Sequence, residues 1–521
     1  MNANLYSFLA SRFSRDLSRP CLETESGRVY TYAELERETA RLARFFKDLG
    51  LAKGERVAVH VEKSPEALFV YLAAVRAGLV YLPFNTAYQR GEMEHFINDA
   101  EPALIVCRPQ SLDMMRPLAA AARTRFLHTL DENGGGTLME AARKGPAEFT
   151  TVAVEDDDLA SILYTSGTTG RSKGAMLTHR NLTSNALTLL DYWSFTKLDV
   201  LLHALPIFHI HGLFVASNLC LLSGGKMFFL KKFDAKQVLR YLPRSTVFMG
   251  VPTYYTRLLA EPDLTREACR HMRLFISGSA PLLNETFASF RERTGHTILE
   301  RYGMSETGMN TSNPLTGERV AGTVGFPLPG VTVRVTDEND RPVAAETIGH
   351  IQLKGPNVFK GYWRMPEKTR EEFTADGYFR TGDMGKFDAK GYLTIAGRSK
   401  DMVITGGYNV YPKEIETMIN EIPGVAESAV IGTPHPDFGE AVTAVVVPKP
   451  GATLSAEEVI ERLKGEMANY KIPKQVYFTD DLPRNAMGKV QKNALRERYL
   501  QALGPATGSA PPEFPGRQSS P

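Results

Sequence analysis

The chain is short of several features that would have classified it at once. Its four cysteines, Cys21, Cys107, Cys220 and Cys269, stand far apart in 521 residues, with no Cys-x-x-Cys pair. That spacing gives neither a zinc site nor a disulfide framework, so reduced, buried thiols are expected. Charge of one sign is missing as well: 61 Lys and Arg against 59 Asp and Glu leave a net charge of +2. No electrostatic footprint for nucleic acid or an anionic membrane results. Long apolar runs are absent, since the most apolar early stretch, 67–84, is broken by Arg76 and Gly78 and makes a poor membrane span. Residues 1–13 carry no basic segment leading into an apolar one, so no signal peptide is expected and the location is expected to be cytoplasmic. There is no internal repeat.

What is present reads as a large soluble enzyme. A chain of 521 residues exceeds one core, and a prior of about 150 residues per domain gives three or four units. Hydrophobic content of 43% and charged content of 23% are ordinary for a globular protein. The early chain alternates: a helix over 30–49, a strand over 56–61, a helix over 65–77, strands over 103–107 and 125–129, and a helix over 112–122 between them. Such alternation predicts parallel sheets covered by helices. It continues with a helix over 181–192, strands over 200–205, 226–230 and 247–252, and a helix over 253–259. Residues 320–400 change texture, with frequent glycines and short alternating runs over 331–335 and 348–353, which suit a small antiparallel, barrel-like β unit. Beyond a polar, charged connection at 397–401, a helix over 412–422 and strands over 425–431 and 440–447 make an α+β unit. There Ser455-Ala456-Glu457-Glu458 is a capping box opening a helix through Met467.

One stretch organises the rest. The apolar run 159–163 leads into Tyr164-Thr165-Ser166-Gly167-Thr168-Thr169-Gly170-Arg171-Ser172-Lys173-Gly174. Glycines allow the backbone N–H groups to converge on one anion, hydroxyls add donors, and Arg171 and Lys173 add charge. A Walker A loop needs Gly-Lys after four residues, but Ser172 stands five beyond Gly167, so a P-loop NTPase is disfavoured. Two histidines, His209 and His211, sit in an apolar turn and are candidates for lining a site, His209 ahead of His211. The strand reaching Ser277-Gly278-Ser279-Ala280 ends in small residues that leave room for a ligand.

Taken together, these signals resemble the adenylate-forming superfamily of acyl-CoA synthetases, stand-alone adenylation domains and luciferases. The phosphate loop is followed, in the family's order, by Arg301-Tyr302-Gly303-Met304-Ser305-Glu306-Thr307, in which Ser305 replaces the usual threonine but keeps the hydroxyl. Then come Tyr378-Phe379-Arg380-Thr381-Gly382-Asp383, the pair Gly397-Arg398, and Pro483-Arg484-Asn485-Ala486-Met487-Gly488-Lys489. The resemblance implies an α/β fold: a large N-terminal domain of two helix-covered sheets plus the β-barrel-like unit over 1–397, a hinge at 398–401, a smaller mobile α+β domain over 402–503, and a disordered tail over 504–521. It also assigns roles. Thr165, Ser166, Gly167, Thr168, Thr169, Gly170 and Lys173 would hold phosphates, Glu306 with Thr165 would bind Mg²⁺, and Thr307 would contact the α-phosphate. Ser279, Ala280, Arg301, Tyr302, Gly303, Met304 and Ser305 would complete the ATP site, while Asp383, assisted by Arg398, would accept from the ribose hydroxyls. Lys489 would bridge carboxylate and α-phosphate. Lys400 would be the hinge, and Lys400, Gly406, Gly407 and Tyr408 would meet coenzyme A.

The chemistry explains the residue types. A carboxylate resists attack by a thiol; converting it to an acyl adenylate supplies AMP as leaving group, and cations must offset the repulsion between two anions brought together. The sequences around Tyr254-Tyr255-Thr256-Arg257 and Met309-Asn310-Thr311-Ser312-Asn313 look most like malonyl-CoA synthetases. That implies malonate, with methylmalonate as a second candidate, plus ATP and CoA. Arg257 would then grip the distal carboxylate, and His209, Ser277, Gly278 and Met304 would line the acyl pocket. His209, Glu306 and Lys489 are the candidate catalytic residues. Other readings stay open: a synthetase for a medium-chain or aromatic acid, an adenylation protein loading a carrier protein, a non-catalytic nucleotide binder, or a luciferase-type oxidation. A monomer or weak dimer is expected, with Lys489 a target for a lysine acyltransferase and a deacylase, as in relatives.

Overall fold

The computed structural model describes residues 2–13, 16–165, 172–405, 408–435, 438–464, 466–485 and 488–502. The chain divides into two compact units, the first being Met1–Glu346, Ile351–Thr381 and Phe387–Thr394, the second Thr347–His350, Gly382–Lys386 and Ile395–Pro521. No helix among the described residues is long and apolar enough to cross a membrane.

Two large sheets build the first unit. A nine-stranded sheet runs in the order Phe326–Pro327, Gly308–Ser312, Leu299–Met304, Leu274–Ser277, Val247–Gly250, Val200–His203, Lys226–Phe229, Pro20–Thr24, Val29–Thr31. Its inner strands are parallel, and antiparallel partners close both ends. A seven-stranded sheet runs Gly361–Tyr362, Lys173–Thr178, Leu159–Thr165, Val80–Pro83, Arg56–His60, Leu104–Cys107, Phe126–Thr129, and all its strands run the same way except Lys173–Thr178, which is antiparallel to both neighbours. The parallel strands are short and apolar because helices cover both faces. The Pro65–Arg76 helix is buried along its whole length, and Ser64 caps it by accepting from the Ala67 N–H. The longer Tyr32–Asp48 helix starts from a full capping box between Thr31 and Glu34. Separate apolar clusters lie against the two sheets, one around Phe248, Tyr255, Phe275 and Phe290, the other around Phe84, Phe96, Ile105 and Ile162.

The glycine-rich stretch forms a four-stranded sheet of Thr332–Thr336, Gly349–Lys354, Phe379–Phe387 and Leu393–Arg398. In the second unit a five-stranded sheet carries the long pair Val425–His435 and Gly439–Pro448, packed on the helices Pro412–Asn420 and Ala456–Leu463. The capping box at Ser455 is present, but the helix ends at Leu463 rather than Met467. Gly465 follows in the sequence, and glycine costs about 1 kcal/mol inside a helix.

Candidate active site

The interior of the site grows from two neighbouring strand ends. Leu274–Ser277 runs parallel to Leu299–Met304, and the register sets Ser277 beside Glu300, one position before Arg301. Gly278 follows Ser277, and its lack of a side chain gives Arg301 its place: a Cβ there would lie 2.5 Å from Cζ and Nη1 of the guanidinium. Ser279 then takes the left-handed conformation, φ +71°, a strained state for serine.

Arg301 is 2% exposed and has no ion pair among the described residues, and its Nε and Nη2 lack hydrogen-bond partners. Burial pushes its pKa down to about 9, which leaves it charged at neutral pH. Ser277 Oγ and His211 Nε2 are likewise buried and without partners. Leaving a buried polar group unbonded costs about 1–3 kcal/mol, more when it is charged, so such a cluster fits a ligand rich in acceptors.

His209 and His211 belong to the turn after Val200–His203. Burial first, then the positive charge of Arg301, pushes His209 down to about 4 and holds His211 well below its ordinary value. Both rings are therefore neutral at pH 7. Nδ1 of His209 accepts from the His211 N–H at 3.2 Å, which assigns the ring proton to Nε2. His211 Nδ1 lies 3.4 Å from Ser279 Oγ.

A second cluster centres on Glu306. Thr165 Oγ1 at 3.4 Å and the Tyr362 hydroxyl at 3.3 Å both donate to its Oε1. Lys173 is buried, with its ammonium 4.7 Å over the Tyr362 ring and 3.8 Å from Glu372. One carboxylate with hydroxyl oxygens around it suits Mg²⁺, which is held by one or two carboxylates together with water and substrate phosphates. Glu306 and Thr165 thus fit the ion expected of them. Thr307 is wholly buried, its hydroxyl accepting from Asn310 Nδ2 at 2.7 Å and its carbonyl from Asn357 Nδ2 at 2.7 Å. In this arrangement it anchors the loop from inside. Tyr302, Gly303, Met304, Ser305, Ser279 and Ala280 are half-buried.

Arg257, expected in the acyl pocket, is exposed on the helix Pro252–Leu259, whose buried face is Pro252, Tyr255 and Leu258. The buried cation in electrostatic reach of His209 is Arg301, which the sequence motif assigned to ATP. Ser166, Gly167, Thr168, Thr169, Gly170, Gly406 and Gly407 lie outside the described residues.

In the second unit Asp383 is buried and pairs with Arg398 Nε at 2.7 Å. Lys489 has its pKa lowered, by desolvation first and then by Arg398, with Lys400 adding to it and Asp383 and Asp401 opposing. The residue keeps exposed surface, so solvent screens that shift. Its turn is closed by the Asn485 N–H donating to the Lys489 carbonyl at 2.9 Å, and Arg484 Nη1 donates to the Gly488 carbonyl at 2.7 Å. Lys400 is exposed in the single turn Ser399–Asp401, and Tyr408, 57% exposed, stacks on Tyr470 at 4.5 Å. Sequence reasoning missed Tyr362 altogether.

Known proteins share this architecture. The AMP-binding enzyme family matches residues 10–363, and the AMP-binding enzyme C-terminal domain matches 414–489. A malonate–CoA ligase of Arabidopsis thaliana is 36% identical over 520 residues, covering 90% of this chain and 85% of that protein. A feruloyl-CoA synthase of Amycolatopsis is 35% identical over 91% of this chain and 94% of its own length. The crystal structure of ATP-bound MatB from Rhodopseudomonas palustris is 57% identical, with a TM-score of 0.94 over 96% of this chain and 99% of that one. With both family domains matched in order and a malonate–CoA ligase aligned over 85% of its length, the chain belongs to the AMP-binding enzyme family.

Proposed function

We propose that this protein is an AMP-forming acid–thiol ligase that joins malonate to coenzyme A through a malonyl adenylate, releasing AMP and pyrophosphate. The observation that carries the reading is Arg301, a buried guanidinium with two nitrogens unbonded, beside the equally unbonded Ser277 Oγ and His211 Nε2. An alkyl or aromatic acid offers these groups nothing. The second carboxylate of a dicarboxylic acid satisfies them, and a guanidinium can hold it through two hydrogen bonds. The 57% identity to MatB and the malonate–CoA ligases among the relatives support the same choice.

In the first step one carboxylate oxygen attacks the α-phosphorus of ATP and the bond to the bridging oxygen of pyrophosphate breaks. In the second the thiol, its proton lost, attacks the acyl carbon and AMP departs. Arg301 anchors the distal carboxylate, so the proximal one is presented at a fixed distance. His209, neutral with its proton on Nε2, is a donor that adds no charge. Lys173 and the phosphate loop hold the β- and γ-phosphates, Lys489 offsets the meeting of carboxylate and α-phosphate, and Asp383 with Arg398 receives the ribose. Glu306 and Thr165 would hold Mg²⁺, which would supply neutralisation of phosphate charge. Lys400, Gly406, Gly407 and Tyr408 serve the coenzyme A arm. Exposed Lys489 is open to a lysine acyltransferase and a deacylase, and acylation removes the cation the first step needs. The enzyme works in the cytoplasm as a monomer or weak dimer, with methylmalonate as its second substrate.

A panel of carboxylic acids scored for AMP release with and without CoA tests this, using wild type and Arg301→Met. Malonate should lead the panel and depend on CoA. Leaving its distal carboxylate buried without a partner costs about 3–5 kcal/mol, so Arg301→Met should lower kcat/KM for malonate by about 10²–10⁴-fold while the KM for ATP holds. Because Arg301 is an uncompensated charge in the free protein, the same variant should raise the ligand-free unfolding temperature. Unchanged malonate kinetics would refute the assignment.

A further inference from the structure

One buried amine takes no part in the chemistry above. Lys63 lies between the Arg56–His60 strand of the seven-stranded sheet and the Pro65–Arg76 helix, is 8% exposed, and has no carboxylate within ion-pair distance among the described residues. Its Nζ donates to the carbonyl of His203 at 2.8 Å and meets His203 Nδ1 at 2.9 Å, with the Phe229 ring 4.3 Å away. His203 ends a strand of the nine-stranded sheet, so this contact ties the carboxyl end of one sheet to that of the other. On its far side His203 Nε2 lies 2.9 Å from the Gly212 carbonyl and 3.1 Å from Ser217 Oγ, and Ser217 Oγ donates to the same carbonyl at 2.8 Å.

The hydrogens of this chain can be assigned. The Gly212 carbonyl can only accept, so Nε2 is the protonated nitrogen and Nδ1 accepts from Lys63, an amine whose own pKa burial holds well below its ordinary value, while burial with that amine keeps the ring neutral. The single ring proton is then on Nε2, where two acceptor oxygens await it. Gly212 is confined from the other side too, since a Cβ on it would fall 2.0 Å from the Pro206 carbonyl. The turn between Pro206 and Gly212 carries His209 and His211, and the π-helix His211–Ser217 begins within it. A carboxylate in place of Lys63 would draw the ring proton to Nδ1 and aim a lone pair at the Gly212 carbonyl.

We propose that Lys63 is a positioning residue for the acyl pocket: by donating to Nδ1 of His203 it holds that imidazole as an Nε2–H donor to Gly212, and so fixes the turn that sets His209 and His211 beside Arg301. The proposal rests on the reading of that pocket as the acid site. An amide at position 203 could accept from Lys63 and donate to Gly212 without any tautomer to lose, which supplies the test.

Lys63→Met, His203→Gln and the double variant are compared by kcat/KM for malonate, KM for ATP, and nitrogen-15 NMR of the His203 ring in the ligand-free protein. In the wild-type background Lys63→Met should cost about 10-fold or more for malonate; in the His203→Gln background about 2-fold or less, the non-additivity expected of residues acting through one another. The KM for ATP should stay within about 2-fold, and the NMR spectrum should show Nε2–H in wild type and its loss in Lys63→Met. Equal losses in both backgrounds, a joint rise of both KM values, or an unchanged tautomer would overturn the proposal. Should Lys63→Met fail to fold, His203→Leu against His203→Gln asks the same question: loss in the first alone supports the chain, and equal loss refutes it. If no acid drives AMP release in wild type, the functional reading falls, while the His203 spectrum still decides the tautomer claim.

Discussion

At the scale of single residues, the site depends on one missing side chain. Gly278→Ala places a methyl where Arg301 Cζ and Nη1 now lie, at 2.5 Å. The clash is with the free end of a long side chain rather than with backbone, so the fold should survive and the guanidinium should move. The expected outcome is a malonate KM raised about 10-fold or more with ATP binding intact, read by titrating each substrate separately. The sequence did not disclose this pairing, because Gly278 and Arg301 are 23 positions apart and meet only through the adjacency of two parallel strands. Arg257 was open to a better reading. Pro252, Tyr255 and Leu258 recur at three-residue spacing on their helix, and Arg257 falls off that stripe. Glu306, Asp383 and Lys489 were proposed from motifs that lie within a few consecutive residues. Tyr362 was not, since its role exists only where an edge strand brings it to Glu306.

Elements with strong local signals came through and those defined by partners did not. The capping box read at Ser455 is formed, while the one that opens the Tyr32–Asp48 helix at Thr31 was not read from the sequence. The Lys173–Thr178 strand and the π-helix His211–Ser217 were invisible, the first because a hairpin partner defines it, the second because its widened turn leaves no periodic stripe. The Ser455 cap gives a test at this scale. Ser455→Ala removes the acceptor of the Glu458 N–H and should cost about 1 kcal/mol. Hydrogen exchange should report faster opening of the Ala456–Leu463 helix, with the sheets of the first unit unchanged.

For the whole molecule, acid is the revealing variable. His60 and His179 are buried in the first unit, and desolvation, the leading cause in each, pushes both down to about 4. An unfolded imidazole protonates near 6.5, so between those values the unfolded chain binds protons that the folded one refuses. Their contribution is complete above pH 6.5, declines as pH falls, and is exhausted near pH 4. By pH 5 each ring should have cost about 2 kcal/mol. Denaturant unfolding at pH 7.5 and 5 should show that loss, and His60→Gln should lessen it. The overall architecture was legible because βα alternation follows from hydrophobic period alone. Which strands add antiparallel edges, and where two units part, depends on long-range pairing that no local window contains.

The stretch from Thr165 to Lys173 joins two antiparallel strands, and the next helix starts at His179, only after the 6-residue strand Lys173–Thr178 has led the chain away. At about 3.3 Å per residue that places its amino end some 20 Å down the return path. In nucleotide folds where strand passes through loop straight into helix, the peptide macrodipole bears on the phosphates. Here no such helix end follows the loop directly, so if the proposed phosphate site stands, the KM for ATP should rise with ionic strength, as expected of an anion held by side-chain cations such as Lys173.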